Sequence, residues 1–200
     1  MNAWEDVDTM SRLARVAALT LLTTPAAARA DRPDLANDVG LTLKLAVDGT
    51  AGDSNPLTTS LFFAPLALEV GHRVAPGVRV HASLGYGLLR GDETEGSTFE
   101  LLVGGALSRC NARGWSCLGV ALDVGGSHSA YDFVDEHARI EAILVEPRVA
   151  WSLATSDRWW LRLALGPRYK RIVGGEVVDR DADAASLWGT AFAATVARRW

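Results

Sequence analysis

The sequence predicts an all-β chain that closes into an eight-stranded antiparallel up-and-down transmembrane β-barrel. Three observations predict it. Beyond residue 37, apolar residues alternate with small or polar ones at period two in eight successive segments. No segment of helical period and helix length lies between them. The connections alternate between short turns and longer polar loops, the asymmetry of a barrel with turns on one side of a membrane and loops on the other. Residues 1–30 are expected to be a signal peptide, 31–36 a short linker and 37–200 the barrel.

The first element is an address rather than structure. Arg12 and Arg15 give a positive start, Val16 to Leu22 a short apolar stretch, and Ala28-Arg29-Ala30 a small-x-small cleavage site before Asp31-Arg32-Pro33. Glu5, Asp6 and Asp8 are wrong for the start of a signal, which makes Met10 a candidate start. The competing reading is an amphipathic N-terminal helix of a cytosolic protein. Export also bears on the two cysteines. Cys110 and Cys117 stand at the mouth of a hairpin, and an oxidising compartment favours their pairing.

The strands follow in order. In the first, Val39, Leu41, Leu43, Leu45 and Val47 oppose Gly40, Thr42, Lys44, Ala46 and Asp48. In the second, Phe62, Ala64, Leu66, Leu68 and Val70 oppose Phe63, Pro65, Ala67, Glu69 and Gly71. The third sets Val78, Val80, Ala82, Leu84, Tyr86 and Leu88 against Arg79, His81, Ser83, Gly85 and Gly87. The fourth sets Phe99, Leu101, Val103 and Leu107 against Glu100, Leu102, Gly104 and Ser108, and the fifth Leu118, Val120, Leu122 and Val124 against Gly119, Ala121, Asp123 and Gly125. The sixth has Ile143, Val145, Val149 and Trp151 opposite Leu144, Glu146, Arg148 and Ala150. The seventh has Trp159, Leu161, Leu163 and Leu165 opposite Trp160, Arg162, Ala164 and Gly166. The last has Trp188, Phe192, Ala194, Val196 and Trp200 opposite Gly189, Ala191, Ala193, Thr195 and Ala197. Pro65, Pro147 and Pro167 each remove a ladder donor and mark a bulge or a strand end.

Alternation fits two barrels, one apolar inside and one apolar outside. Three features choose the second. The less apolar face mixes Gly, Ala and Ser with charges of both signs, which suits a crowded interior better than a surface facing water. Its members Glu69, Arg79, His81, Asp123, Glu146, Arg148 and Arg162 are expected to form a lumen charge network, because buried charges require partners. The expected pairings are Glu69 with Arg79 and His81, and Glu146 with Arg148 and Arg162. The turns near 73–77, 110–117 and 155–158 are short, whereas the loops near 49–58, 90–97, 127–138 and 170–186 are mostly longer and acidic. The aromatics fall in two bands. Trp115, Trp151, Trp159 and Trp200 map to the short-turn side; Phe62, Tyr86, Phe99, Tyr169 and Trp188 map to the long-loop side. Together they form the girdles of a bilayer-spanning barrel.

With those residues in view, the chain over roughly 37–200 resembles the small eight-stranded outer-membrane barrels of OmpA-like and OmpX-like type. The resemblance implies bacterial outer-membrane localisation, contact with outer-membrane lipid, and delivery by the barrel-assembly machinery. Phe192, Ala194, Val196 and the terminal Trp200 resemble the C-terminal assembly signal of that family, from which Arg198 departs. Beside a membrane interface Arg198 can snorkel its charge outward.

The composition excludes much else. A net charge of −4 argues against nucleic acid as a partner. No apolar run reaches the roughly 18–20 residues of a membrane-spanning helix. Two Cys and four scattered His show no metal-ligand spacing, and the Gly pairs open no helix, so no metal and no cofactor are expected. A closed barrel has no edge to pair, which favours a monomer. The functional expectation is a non-enzymatic outer-membrane protein with a structural or surface-interaction role carried by acidic extracellular loops. The alternatives are a lipid-modifying enzyme using Ser127 and His128, a narrow pore, and a soluble periplasmic carrier of lipocalin type.

Overall fold

A computed structural model describes residues 37–50, 59–90, 95–132, 137–177, 180–181 and 186–200. The expected signal peptide and linker lie outside these residues. The described chain forms nine strands: β1 Asn37–Thr50, β2 Thr59–Ala75, β3 Val78–Arg90, β4 Glu95–Cys110, β5 Ser116–Asp132, β6 His137–Ala154, β7 Trp159–Val177, β8 Arg180–Asp181 and β9 Ser186–Arg199. Each of β1 to β7 is hydrogen-bonded antiparallel to the next, β7 also pairs with β9, and β9 pairs with β1. Eight strands therefore close a ring. The ninth, β8, is a two-residue ribbon that pairs only with the end of β7, through Glu176↔Asp181 and Val177↔Arg180. Closure is completed at the chain end, where the Asn37 and Trp200 amides each donate to the other's carbonyl at 3.3 and 3.1 Å.

Local chemistry sets the short turns. Pro76-Gly77 joins β2 to β3, with Gly77 at φ 76°, the left-handed region glycine enters freely. Asn111 Oδ1 accepts from the Trp115 amide at 3.0 Å within the β4–β5 turn. A disulfide joins Cys110 to Cys117, which face each other in the register of that hairpin. In the β6–β7 turn the Thr155 amide donates to the Trp159 carbonyl at 2.9 Å.

The opposite end departs from the expected loop limits. The loops expected near 127–138 and 170–186 shrink because β5 continues to Asp132 and β7 to Val177. The inner positions Ser127, Ser129 and Tyr131 keep the two-residue alternation, so the ladder simply runs on. Most of the acidic loop residues, including Asp92, Glu93, Asp179 and Asp183, lie outside the described residues.

A second correction concerns β2. Phe62 and Ala64, expected on the apolar outer face, are both fully buried inside. The register against β1 slips by one residue between Thr42↔Ala67 and Lys44↔Ala64, and against β3 between Phe63↔Leu88 and Leu66↔Tyr86. Pro65 sits in that interval. An extra residue in one strand reverses the side-chain phase beyond it. The other two prolines, Pro147 and Pro167, lie where the β6–β7 ladder is interrupted between Val145↔Tyr169 and Val149↔Leu165.

Candidate functional site

Outside and inside are inverted relative to a water-soluble barrel. Leu41, Leu66, Leu84, Leu101, Leu122, Ile143, Leu165 and Val196, one from each ring strand, are 41–60 % exposed. Meanwhile Asp123, Glu146 and Arg168 are at most 1 % exposed. In water that exchange would cost on both counts, since apolar area would be hydrated and charge desolvated. In a bilayer the outer band meets hydrocarbon and the charges meet one another.

The aromatic residues flank the apolar band. Trp115, Trp151, Trp159 and Trp200 are exposed at the short-turn end, with Trp151 Nε1 donating to Ser116 Oγ at 2.8 Å. Tyr86, Phe99 and Trp188 are exposed nearer the loops, and the Tyr169 ring packs on Trp188 at a 4.8 Å centroid separation. Phe62 is absent from that girdle because the β2 bulge turns it inward. On β9, Phe192 faces Leu45 and Leu165 in register, and Val196 faces Leu41 and Leu161. The outer face of the last strand is thus continuous with both neighbours.

The lumen carries two layers of charge. Nearer the short turns, Arg79 Nε donates to Asp38 Oδ2 at 2.9 Å and its Nη2 to Glu69 Oε1 at 2.9 Å; Arg79 Nη2 also contacts Asp38 Oδ1. Arg162 Nη1 donates to the same Glu69 oxygen. Beside this group, His81 Nε2 lies 2.6 Å from Asp123 Oδ1, and Arg148 Nη2 donates to Asp123 Oδ2. Small residues open the space. A Cβ on Gly71 would collide with the Arg79 guanidinium, and one on Gly104 with the Asp123 carboxylate.

Nearer the loops, a denser layer centres on Arg168. Its Nε donates to Asp48 Oδ1 at 2.9 Å, Nη1 to Glu146 Oε1 at 2.6 Å and Nη2 to Glu100 Oε1 at 2.5 Å. Lys44 Nζ bridges Glu100 and Glu146 at 2.8 and 2.7 Å. Lys170 Nζ lies 3.8 Å from Asp48 Oδ2 and donates to the Tyr131 hydroxyl at 3.5 Å. Above this layer Phe62, Leu89, Tyr131, Ile140 and Ile172 form a buried apolar plug with Ala46, Ala64, Ala138 and Ala191. The Phe62 ring joins the two strata, with the Arg168 guanidinium 5.6 Å and Lys44 Nζ 5.9 Å from its centroid.

All seven residues expected in the lumen network lie on inward-facing positions, but several pairings differ. His81 meets Asp123, not Glu69. Glu146 meets Lys44 and Arg168; Arg148 and Arg162 instead go to Asp123 and Glu69. Proximity along one hairpin suggests the expected partners, whereas a barrel brings residues together across its bore. Six members lie outside the expected seven: Lys44, Asp48, Glu100 and Arg168, whose strand parity already puts them on the inner face, and Asp38 and Lys170, which the expected strands do not include. Asp38 immediately precedes the first alternating residue named, and Lys170 fell inside an expected loop. The signal for Lys170 was present, since Arg162, Arg168 and Lys170 share one strand parity.

Ser127 and His128 occupy opposite faces of β5. Ser127 is buried in the lumen, and His128 is exposed outside, 3.7 Å from Glu141. Among the described residues no cluster of three or more His, Cys, Asp or Glu is arranged to hold a metal ion.

Closed ring, apolar exterior, paired charged interior and terminal girdles together define the class, an outer-membrane β-barrel. No protein-family model and no curated protein matches the sequence. Among solved structures the chain is similar to Neisserial surface protein A, at a TM-score of 0.61 and 11 % identity, covering 82 % of this chain and 97 % of that one. It is also similar to a major outer membrane protein of Thermus thermophilus, at a TM-score of 0.50 and 11 % identity, covering 82 % of this chain and 100 % of that one. At such identity the likeness shows the fold.

Proposed function

We propose that this chain is a non-enzymatic protein of the bacterial outer membrane, a closed barrel that serves as scaffold for an interaction surface on its acidic long-loop end. The observation that carries the reading is the filled lumen. Arg168 and its three carboxylates span the bore beneath an apolar plug. An eight-strand barrel has room for side chains and little more. A rigid scaffold with variable loops is the usual place for binding function. The separation of Ser127 from His128 across the β5 wall supports a non-enzymatic role, because a nucleophile needs its base within hydrogen-bond reach. In this reading the protein is a monomer surrounded by lipid and inserted by the barrel-assembly machinery, with Phe192, Val196 and Trp200 as its assembly signal.

Two measurements test it. In planar bilayers the folded protein should show no steady conductance; a stable open current would make it a pore. With Asp92, Glu93, Asp135 and Glu136 changed to their amides, the barrel should fold unchanged but lose capture of the cationic probe poly-lysine. Undiminished capture would move the interaction surface elsewhere.

A further inference from the structure

The last strand ends Arg198-Arg199, with Trp200 just beyond it, and strand alternation divides the two arginines between the two sides of the wall. The Arg199 guanidinium lies 3.7 Å from the ring centre of the buried Trp160, inside the short-turn end. Arg198 is exposed on the outer face, in register with Trp159 of β7 and Val39 of β1. Trp159 and Trp200 are 46 % and 56 % exposed on the same face. The adjoining turn brings a second exposed arginine, because the Arg199 amide donates to the Arg158 carbonyl at 2.8 Å. Asp157 lies in the same turn, next to Arg158 in sequence.

The surroundings specify what such a cation can take. An exposed guanidinium between two outward indoles, at the edge of a lipid-facing apolar band, stands at headgroup depth. Its planar fork matches the oxygens of a phosphate, and an indole N–H can add a donor. Among the described residues of this rim, Arg73, Arg109, Arg113, Arg158 and Arg198 outnumber Asp157. That excess of positive charge favours a headgroup with net negative charge over a zwitterionic one. The opposite end has the reverse balance, with Glu95 and Glu141 exposed and the loops acidic.

We propose that Arg198, with Arg158 and the flanking Trp159 and Trp200, binds the phosphate headgroup of an anionic phospholipid in the leaflet that the short turns contact. The site rests on the barrel's place in a bilayer and is independent of any role of the loops. It also gives a reason for arginine at position 198, where an apolar residue would complete the outer face of β9.

The test uses the indoles already at the site. The barrel is refolded into phosphatidylcholine vesicles containing brominated phosphatidylglycerol, and in parallel into vesicles containing brominated phosphatidylcholine. Quenching of tryptophan fluorescence then reports which lipid sits beside the rim. Parent protein should favour phosphatidylglycerol by about fivefold, the effect of roughly one interfacial charge. Arg198→Gln should bring the ratio towards one, and Arg198→Lys should keep part of the preference. A gel shift between unboiled and boiled samples verifies folding for each variant. Should Arg198→Gln fail to insert, Arg158→Gln, placed in the turn outside the strands, carries the test with a smaller drop. A parent ratio of one, or a ratio unchanged in the glutamine variant, overturns the site. Failure of the parent to insert into vesicles at all would instead overturn the barrel's place in a bilayer.

Discussion

The lumen layer near the loops and the layer near the short turns carry matched formal charge, three carboxylates against three cations each. In the loop-side layer Asp48, Glu100 and Glu146 face Lys44, Arg168 and Lys170; in the turn-side layer Asp38, Glu69 and Asp123 face Arg79, Arg148 and Arg162. They differ in sharing and in burial. One guanidinium bonds all three carboxylates of the first layer, and its side chain is 1 % exposed. The second divides into a group around Arg79 and a group around Asp123, and its arginine side chains are 8–13 % exposed. The physical lesson is that charge balance alone does not set how much one charge matters. What sets it is how many partners are stranded by its loss and whether water can reach them.

Removal of the shared cation should therefore have the largest effect. Arg168→Met strands three buried carboxylates on two lysines and should cost about 3–5 kcal/mol, read from urea titration of the folded barrel in lipid. Little change would mean that water already enters the loop-side layer. Next comes the test that both layers are inside at all. Leu84→Arg, on the outer face midway along β3, should cost roughly 2–4 kcal/mol, while Ser83→Ala on the inner face should cost much less. Equal effects would exchange the two faces. Arg148→Met touches the more open layer and leaves Asp123 its contact with His81, so its cost should be about 1–3 kcal/mol, below that of Arg168→Met. Reversal of that order would break the comparison. The smallest effect is expected from Phe62→Leu, which keeps the plug apolar but removes the ring beside Lys44 and Arg168, a loss of about 1 kcal/mol in the same titration.

Much of this was legible in the sequence, and for a definite reason. A two-residue period persisting through eight segments assigns each side chain to one of two faces, so Leu84, Glu100, Asp123 and Arg162 could be placed without coordinates. The short turns were equally plain, since Pro76-Gly77 and the Cys110–Cys117 bracket announce themselves locally. What period two cannot carry is a change of phase. Pro65 was visible as a bulge, but the direction of its consequence, Phe62 and Ala64 turned into the bore, depends on the registers with both neighbouring strands. Partners across the bore were also hidden. Lys44 and Glu146 are 102 residues apart and meet only because the ring closes. Lys170 was obscured by polarity: a strand that leaves the apolar band reads as a loop although its ladder continues.

The central claim is that apolar side chains face lipid while charged and small ones fill the bore. The most direct test places a nitroxide in turn at residues 82, 83, 84, 85 and 86 of β3, in the barrel reconstituted in vesicles. Accessibility to dissolved oxygen should alternate, high at 82, 84 and 86 and low at 83 and 85, with no matching access for a polar nickel reagent at the outward positions. The opposite phase, or nickel access at 84 with release of the protein into detergent-free buffer, would contradict the account and leave a soluble barrel with an apolar interior.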